Sequence, residues 1–260
     1  MNVPKFIFIV PYRDRETQLI CYINHMNYIL EDLGECNYEI LICHQKDKRL
    51  FNRGAMRNLG FIYSKEKYPQ HYKDINFIFQ DIDTMPTRKS QFNYETREGV
   101  IKHYYGFTST LGGIISIKGI DYEFLNGYPN FWEWGYEDNC LQKRALFKNI
   151  KIDRSELLEI FDKNIVQLTQ GIPTTKRNVR KDSREDYIND NGSNGINKIE
   201  NINYIINNDF ELINRFNNCF FIDFEKWSIP ESDKVVIVEY TKNYARGRNN
   251  NFLNINKPKK

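Results

Sequence analysis

The sequence predicts an α/β fold with a mostly parallel central sheet flanked by helices. Strand-like and helix-like segments alternate through the first third of the chain, the pattern of parallel strands joined by crossover helices. The strand segments are continuous apolar runs, as expected of strands covered on both faces. The 260 residues are 40% hydrophobic and 15% aromatic, enough for the large core that such a sheet needs.

The elements follow in order. "KFIFIVPYR" is a first strand, turned outward by Pro11. "RETQLICYINHMNYILEDLG" repeats Leu19, Ile20, Ile23, Met26, Ile29, Leu30 and Leu33 at helical spacing, with Gly34 as a stop. "YEILICHQ" is a second strand, "NRGAMRNLGFIYSKEKY" a second helix capped by Asn52, and "INFIFQ" a third strand. After Pro86 the alternation ends. "GGIISIKGIDYEFLNGYPN" reads as strand, short helix and turn, and "YEDNCLQKRALFKN" as a helix with acids in its first turn. Residues 171–205 are polar and rich in Gly and Asn, and read as a long mobile loop. "NYIINNDFELINRF" reads as a helix, and "CFFIDFEKW" and "KVVIVEY" as a pair of late strands. One domain over 1–240 is expected, with a basic, Asn-rich, disordered tail over 241–260.

The net charge of +3, with both signs mixed along the chain, argues against nucleic acid as a partner. Five cysteines (Cys21, Cys36, Cys43, Cys140 and Cys219) show neither a CxxC pair nor zinc spacing. Their odd count points to reduced thiols and a cytoplasmic location. No apolar run reaches the ~20 residues of a membrane span. The N-terminal "MNVPKFIFIVPYRDR" reads as a strand and not as a signal peptide.

Four segments carry chemistry. In "FIFQDIDTMP" a buried strand ends on Asp81 and Asp83, whose carboxylates face the same way if the backbone stays extended. Ligands of parallel sheets bind beyond such strand ends. Two carboxylates there suit a hard divalent cation that holds a diphosphate, although a solvated turn would use the same residues. In "VPYRDR", Arg13 and Arg15 project past the first strand, suited to phosphate and nucleobase edges or simply to surface ion pairs. In "FNRGAMRN", Arg53 enters the first turn of a helix whose N-terminus favours anions, and Phe51 offers a stacking face. "NGYPNFWEWGYEDNC" is an aromatic loop with Gly127 and Gly135 as pivots, delivering Glu137 and Asp138 to a helix start. An acid beside sugar-stacking tryptophans can accept a hydroxyl proton, and a core patch with capping acids is the alternative.

Together these segments resemble the beta-1,4-galactosyltransferase family of inverting glycosyltransferases, which carries VPFRNR-, FNRA-, DVD- and GGV…NGFPN-x-FWGWGGEDDD-like blocks in this order. Here they read "VPYRDR", "FNRG", "DID" and "GGIISIKGIDYEFLNGYPNFWEWGYEDNC". The resemblance is close over residues 6–150 and looser beyond. It implies a GT-A type nucleotide-sugar-binding fold, a UDP-sugar donor, and Mn2+ (or Mg2+) as cofactor. Carried over, Pro11, Arg13, Arg15, Phe51, Arg53, Asp81, Ile82, Gly113 and Trp134 are donor-binding and Asp83 is the metal ligand. Asp138 is the catalytic base, with Glu137 beside it. Trp134, Tyr136 and Asp138 meet the acceptor.

The departures are specific. The GGEDDD-like block reads "GYEDNC", so Tyr136, Asn139 and Cys140 stand where the family has a glycine and two acids. Thr110, two residues before Gly112–Gly113, occupies a place where galactosyltransferases often have tyrosine, which opens room for an N-acetyl group on the donor. The family's loop histidine has no counterpart, since His25, His44, His71 and His103 all lie earlier. Gln167, Thr169 and Gln170 are nearest to the expected place. The expectation is a metal-dependent inverting transferase that moves a hexose or N-acetylhexosamine from a UDP-sugar to a carbohydrate or glycosylated acceptor. A catalytically weak sugar-binding relative, and a nucleotidyl or phosphoryl transferase using the same aspartates, are the alternatives.

Overall fold

A computed structural model describes residues 2–168 and 183–230. The expected late strand "KVVIVEY", the basic tail, Thr169 and Gln170 lie outside the described residues. The chain runs β1 (Phe6–Tyr12), α1 (Glu16–Leu30), β2 (Tyr38–Gln45), α2 (Arg53–Lys67) and β3 (Asn76–Gln80), as the alternation predicts. Then follow β4 (Thr84–Pro86), β5 (Val100–Tyr105), β6 (Ile114–Lys118), α3 (Gly119–Phe124), α4 (Glu137–Phe147), β7 (Lys151–Asp153) and β8 (Ile165–Gln167). The last elements are α5 (Ser183–Asn189), β9 (Glu200–Ile206) and β10 (Cys219–Ser228).

The central sheet has eight strands in the order β7-β5-β6-β3-β1-β2-β10-β9. Four of the seven neighbouring pairs are parallel, including the run from β3 to β10, so the sheet is the mostly parallel one expected of a GT-A fold. Alternation along β1 splits the core in two. Ile7 and Ile9 join Ala55, Met56 and Leu59 of α2 on one face. Phe8, Val10 and Tyr12 join Leu19, Ile23 and Met26 of α1 on the other. Both faces of the strand are therefore buried, which is why its sequence is a continuous apolar run.

Several local expectations change. α1 stops at Leu30, and Leu33 lies in a short 3-10 turn closed by Gly34 at φ +78°. Ile20 points to solvent, 45% exposed. Residues 183–205, expected within a loop, contain α5 and most of β9. The segment 203–216, expected as a helix, begins as strand and keeps only a 3-10 turn at Ile213–Arg215. The decisive period there is two. Ile202 and Tyr204 alternate onto the core, with the Tyr204 ring 5.3 Å from Tyr63, while β9 pairs antiparallel with β10. All five cysteines are free thiols.

Asn52 caps α2 by accepting a hydrogen bond from the Ala55 amide at 2.8 Å. The helix then packs directly onto the 128–130 loop. A Cβ on Gly54 would lie 2.1 Å from the Pro129 carbonyl oxygen, a backbone atom that cannot swing aside. Gly54→Ala should therefore lower unfolding free energy by about 1–3 kcal/mol in chemical denaturation. An unchanged midpoint would show that helix and loop can separate freely.

Candidate active site

The carboxyl ends of β1, β2 and β3 open on the same edge, and the four candidate segments meet there through ion pairs. The backbone after β3 does not stay extended. The Thr84 amide donates to the Asp81 carbonyl at 3.2 Å, closing a turn that sends the two aspartates to different partners. Asp83 is buried and accepts from Arg15 at 2.8 Å. Asp81 accepts from Nε and Nη2 of Arg53, each at 2.9 Å. This is not the solvated turn that the motif alone allows.

Arg53 continues into the aromatic loop. Its Nη1 donates to Glu137 at 2.8 Å and to both oxygens of Asp138 at 2.9 Å. Glu137 is itself buried and accepts from the Gly135 amide at 3.2 Å. Burial works against the Arg53 charge, but Asp138, Asp81 and Glu137 outweigh it and push its pKa well up. Arg57, one helical turn on, was not singled out by sequence. Its side chain is fully buried, and it donates to Asp138 at 2.7 Å and to Asp81 at 3.0 Å. Its four-residue spacing from Arg53 was the available signal, since i and i+4 share a helix face.

Arg13 takes another course from Arg15. It donates to the Arg49 carbonyl at 2.6 Å and lies over the Phe51 ring, 5.4 Å from the centroid. Pro11 is buried within β1, opposite Cys43 of β2. The Ile82 side chain is buried in the α1-side core, which leaves its backbone as the part able to meet a ligand.

The double-glycine turn is fitted onto α4. The Leu111 amide donates to the Asp138 carbonyl at 3.0 Å, and the Asn139 side chain donates to the Ser109 carbonyl at 2.9 Å. Thr110 is thus bracketed by contacts to the start of α4. A Cβ on Gly112 would fall 2.4 Å from the Asp138 carboxylate, and one on Gly113 (φ +72°) 2.1 Å from the Tyr105 carbonyl oxygen. Only glycines let this turn approach so closely.

The two tryptophans separate. Trp132 stacks on Trp227, centroids 5.2 Å apart, with the Arg49 guanidinium 4.8 Å from its ring. Trp134 is 46% exposed at the rim. Tyr136 holds a left-handed φ of 61° at the start of α4 and stacks on Tyr187 of α5 at 5.4 Å. Tyr187 is a further rim residue that sequence reading passed over.

Among the described residues no group of three His, Cys, Asp or Glu side chains could hold a metal ion. Asp83 offers a hard carboxylate oxygen, of the kind Mn2+ or Mg2+ takes, so it fits as one ligand of a shell completed by a diphosphate and water. Gln167 lies opposite Thr84 in the β4–β8 pair and donates to the Tyr105 hydroxyl. His25 bonds the Pro86 carbonyl at 2.7 Å and His44 bonds Asp223 at 2.6 Å, so neither joins Asp83.

Comparisons with known proteins bear on the family and the fold. Residues 2–95 match the model for the N-terminal region of glycosyl transferase group 7, and residues 98–165 that for the N-terminal domain of galactosyltransferase. Human beta-1,4-galactosyltransferase 4 is 31% identical over 157 residues, 56% of this chain and 44% of its own length. Beta-1,4-galactosyltransferase 1 of Bos taurus is 27% identical over 160 residues, 58% of this chain and 38% of its own. The alignment thus spans less than half the length of these two relatives. The fold is similar to a Drosophila beta-1,4-galactosyltransferase 7 mutant solved with manganese, UDP-Gal and xylobiose. The TM-score is 0.68 at 18% identity, covering 86% of this chain and 95% of that one.

His103 supports the double-glycine turn from below. It is buried, with Nε2 3.1 Å from the carbonyls of both Tyr105 and Gly112, while Nδ1 accepts from Arg154 at 3.2 Å. Burial, and then Arg154, pull its pKa from 6.5 to about 4. The folded protein therefore binds this proton later than the unfolded chain. The stability linked to the neutral ring is intact above pH 6.5 and is lost as pH falls from 6.5 towards 4. Denaturation midpoints across that window should fall for the wild type and flatten in His103→Asn. A midpoint equally pH-dependent in both would assign the effect to other groups.

Proposed function

The chain belongs to the glycosyl transferase group 7 galactosyltransferase family, and from that membership we propose that it is an inverting, metal-assisted transferase that moves a hexose or N-acetylhexosamine from a UDP-sugar to a carbohydrate hydroxyl. One observation carries the reading: Arg15–Asp83, Arg53–Asp81 and Arg53–Glu137–Asp138 tie all four motif segments into one centre at the carboxyl edge of the sheet.

Asp138 takes the proton of the acceptor hydroxyl. That oxygen bonds to the anomeric carbon on the face opposite the diphosphate, and the carbon–oxygen bond to UDP breaks. One base suffices because no covalent enzyme intermediate forms. Asp83 would hold the metal, which when bound neutralises charge on the departing diphosphate. Arg15 adds a fixed positive charge beside it, and Arg13 with Phe51 provides a cation and a ring for the nucleobase end. Trp134, Tyr136 and Gly113 line the approach of the sugars.

Incubation with a panel of UDP-sugars, manganese and carbohydrate acceptors tests the reading directly. Acceptor-dependent UDP release with a β product from an α-linked donor supports it. An α product contradicts the single-base mechanism, and transfer of a nucleotide monophosphate would favour a nucleotidyl transferase. Calorimetric titration of UDP with manganese should lose its metal-dependent affinity in Asp83→Ala, and equal affinity in wild type and mutant would remove Asp83 from the metal site.

Thr110 is the donor-selectivity residue in this reading, because its small side chain sits in the turn fastened to Asp138. Thr110→Tyr should shift the kcat/KM ratio from N-acetylhexosamine towards plain hexose donors by on the order of 100-fold. A ratio that does not move would place the selecting contact elsewhere.

A further inference from the structure

Arg57 is buried more deeply than any other charged group of the centre, and its place there differs in kind from that of Arg53. The Arg53 side chain retains 13% exposure, so a ligand entering from solvent can reach it, whereas the Arg57 side chain retains none. Arg57 spans two elements that are separate in sequence, Asp81 after β3 and Asp138 at the start of α4, with one guanidinium nitrogen to each. Its Cζ lies 4.4 Å from the Tyr128 ring centroid, and Tyr128 is fixed by a hydroxyl bond to the Leu111 carbonyl at 2.9 Å. The Arg57 Nε has no hydrogen-bond partner among the described residues, so its polar contacts to protein run through the two nitrogens that hold the carboxylates. Burial opposes its charge, as does Arg53, but the net shift in its pKa is upward, so it remains a cation.

Two guanidinium groups face three carboxylates in this cluster: Asp81, Glu137 and Asp138. Both cations share Asp81 and Asp138. If the solvent-reachable Arg53 turns towards an incoming anionic donor, Arg57 still holds those two carboxylates in register.

We infer that Arg57 is a positioning residue that keeps Asp138 and Asp81 at fixed separation while Arg53 exchanges carboxylate contacts for donor oxygens. The inference rests on the reading of Asp138 as the base. It assigns Arg57 to the rate of transfer and not to donor affinity, because a fully buried guanidinium cannot touch the nucleotide.

The test compares wild type, Arg57→Met and Arg57→Lys, reading kcat, KM for donor and acceptor, UDP affinity by calorimetry and melting temperature. Misplacement of a reacting group by about 1 Å can cost on the order of 100-fold in rate, so Arg57→Met should lose about that factor in kcat. UDP affinity in Arg57→Met should stay near the wild-type value. Arg57→Lys, which keeps the charge and can reach one carboxylate, should recover part of the rate; it also serves as the probe if the methionine variant does not fold. Equal loss of kcat and UDP affinity in either variant would overturn the inference in favour of a donor-binding role. An unchanged kcat in a folded variant would reduce Arg57 to packing. A wild type without transfer to any acceptor would instead overturn the underlying reading of Asp138.

Discussion

The candidate site depends on one electrostatic arrangement: three carboxylates gathered around two guanidinium groups at the carboxyl edge of the sheet. Like charges at such separation cannot be brought together in a partly dry site without cations between them. Arg53 and Arg57 supply those cations from successive turns of one helix, so the direction of α2 decides where Asp81, Glu137 and Asp138 can sit. Buried ion networks contribute little net stability compared with apolar packing, because the desolvation of each charge offsets its attraction. The value of this one lies in geometry, since bidentate guanidinium contacts fix angles as well as distances.

The fold serves that geometry. The parallel strands β3, β1, β2 and β10 are neighbours, so the turns after β1 and β3 and the start of α2 open on one edge. α2 is held by its Asn52 cap at one end and by the close contact of Gly54 with Pro129 near the same end. Those constraints lie within three residues of Arg53, where a small rotation would matter most. The double-glycine turn is pinned from two sides, by α4 through Leu111 and by neutral His103 beneath Gly112.

Much of this was legible in the sequence, for physical reasons. Strands buried on both faces leave long apolar runs, so β1, β2 and β3 were readable, and Asn52 announced the start of α2. Asp81, Asp83, Arg53, Glu137 and Asp138 stood out because charged residues next to apolar runs and aromatic loops need a reason to be there. Arg57 did not, because an arginine in mid-helix ordinarily lies on the solvent side, and only its tertiary partners show that it faces inward. The segment 203–206 was misread as helix because adjacent Ile205 and Ile206 obscured the alternation of Ile202 and Tyr204, which the pairing of β9 with β10 makes decisive. The two aspartates of the DID motif were expected side by side. The turn that separates them is set by the Thr84–Asp81 backbone bond, which no residue type in the motif announces.

The central claim is that this cluster is a catalytic centre in which Asp138 removes the acceptor proton while other residues bind the donor. The most direct measurement is of transfer rate and UDP affinity, side by side, in Asp138→Asn. An amide is close in shape to the carboxylate but cannot take up the proton, so transfer should fall by several orders of magnitude, on the scale of a lost general base plus its charge. UDP affinity should remain close to wild type. Near-normal turnover in Asp138→Asn would contradict the account.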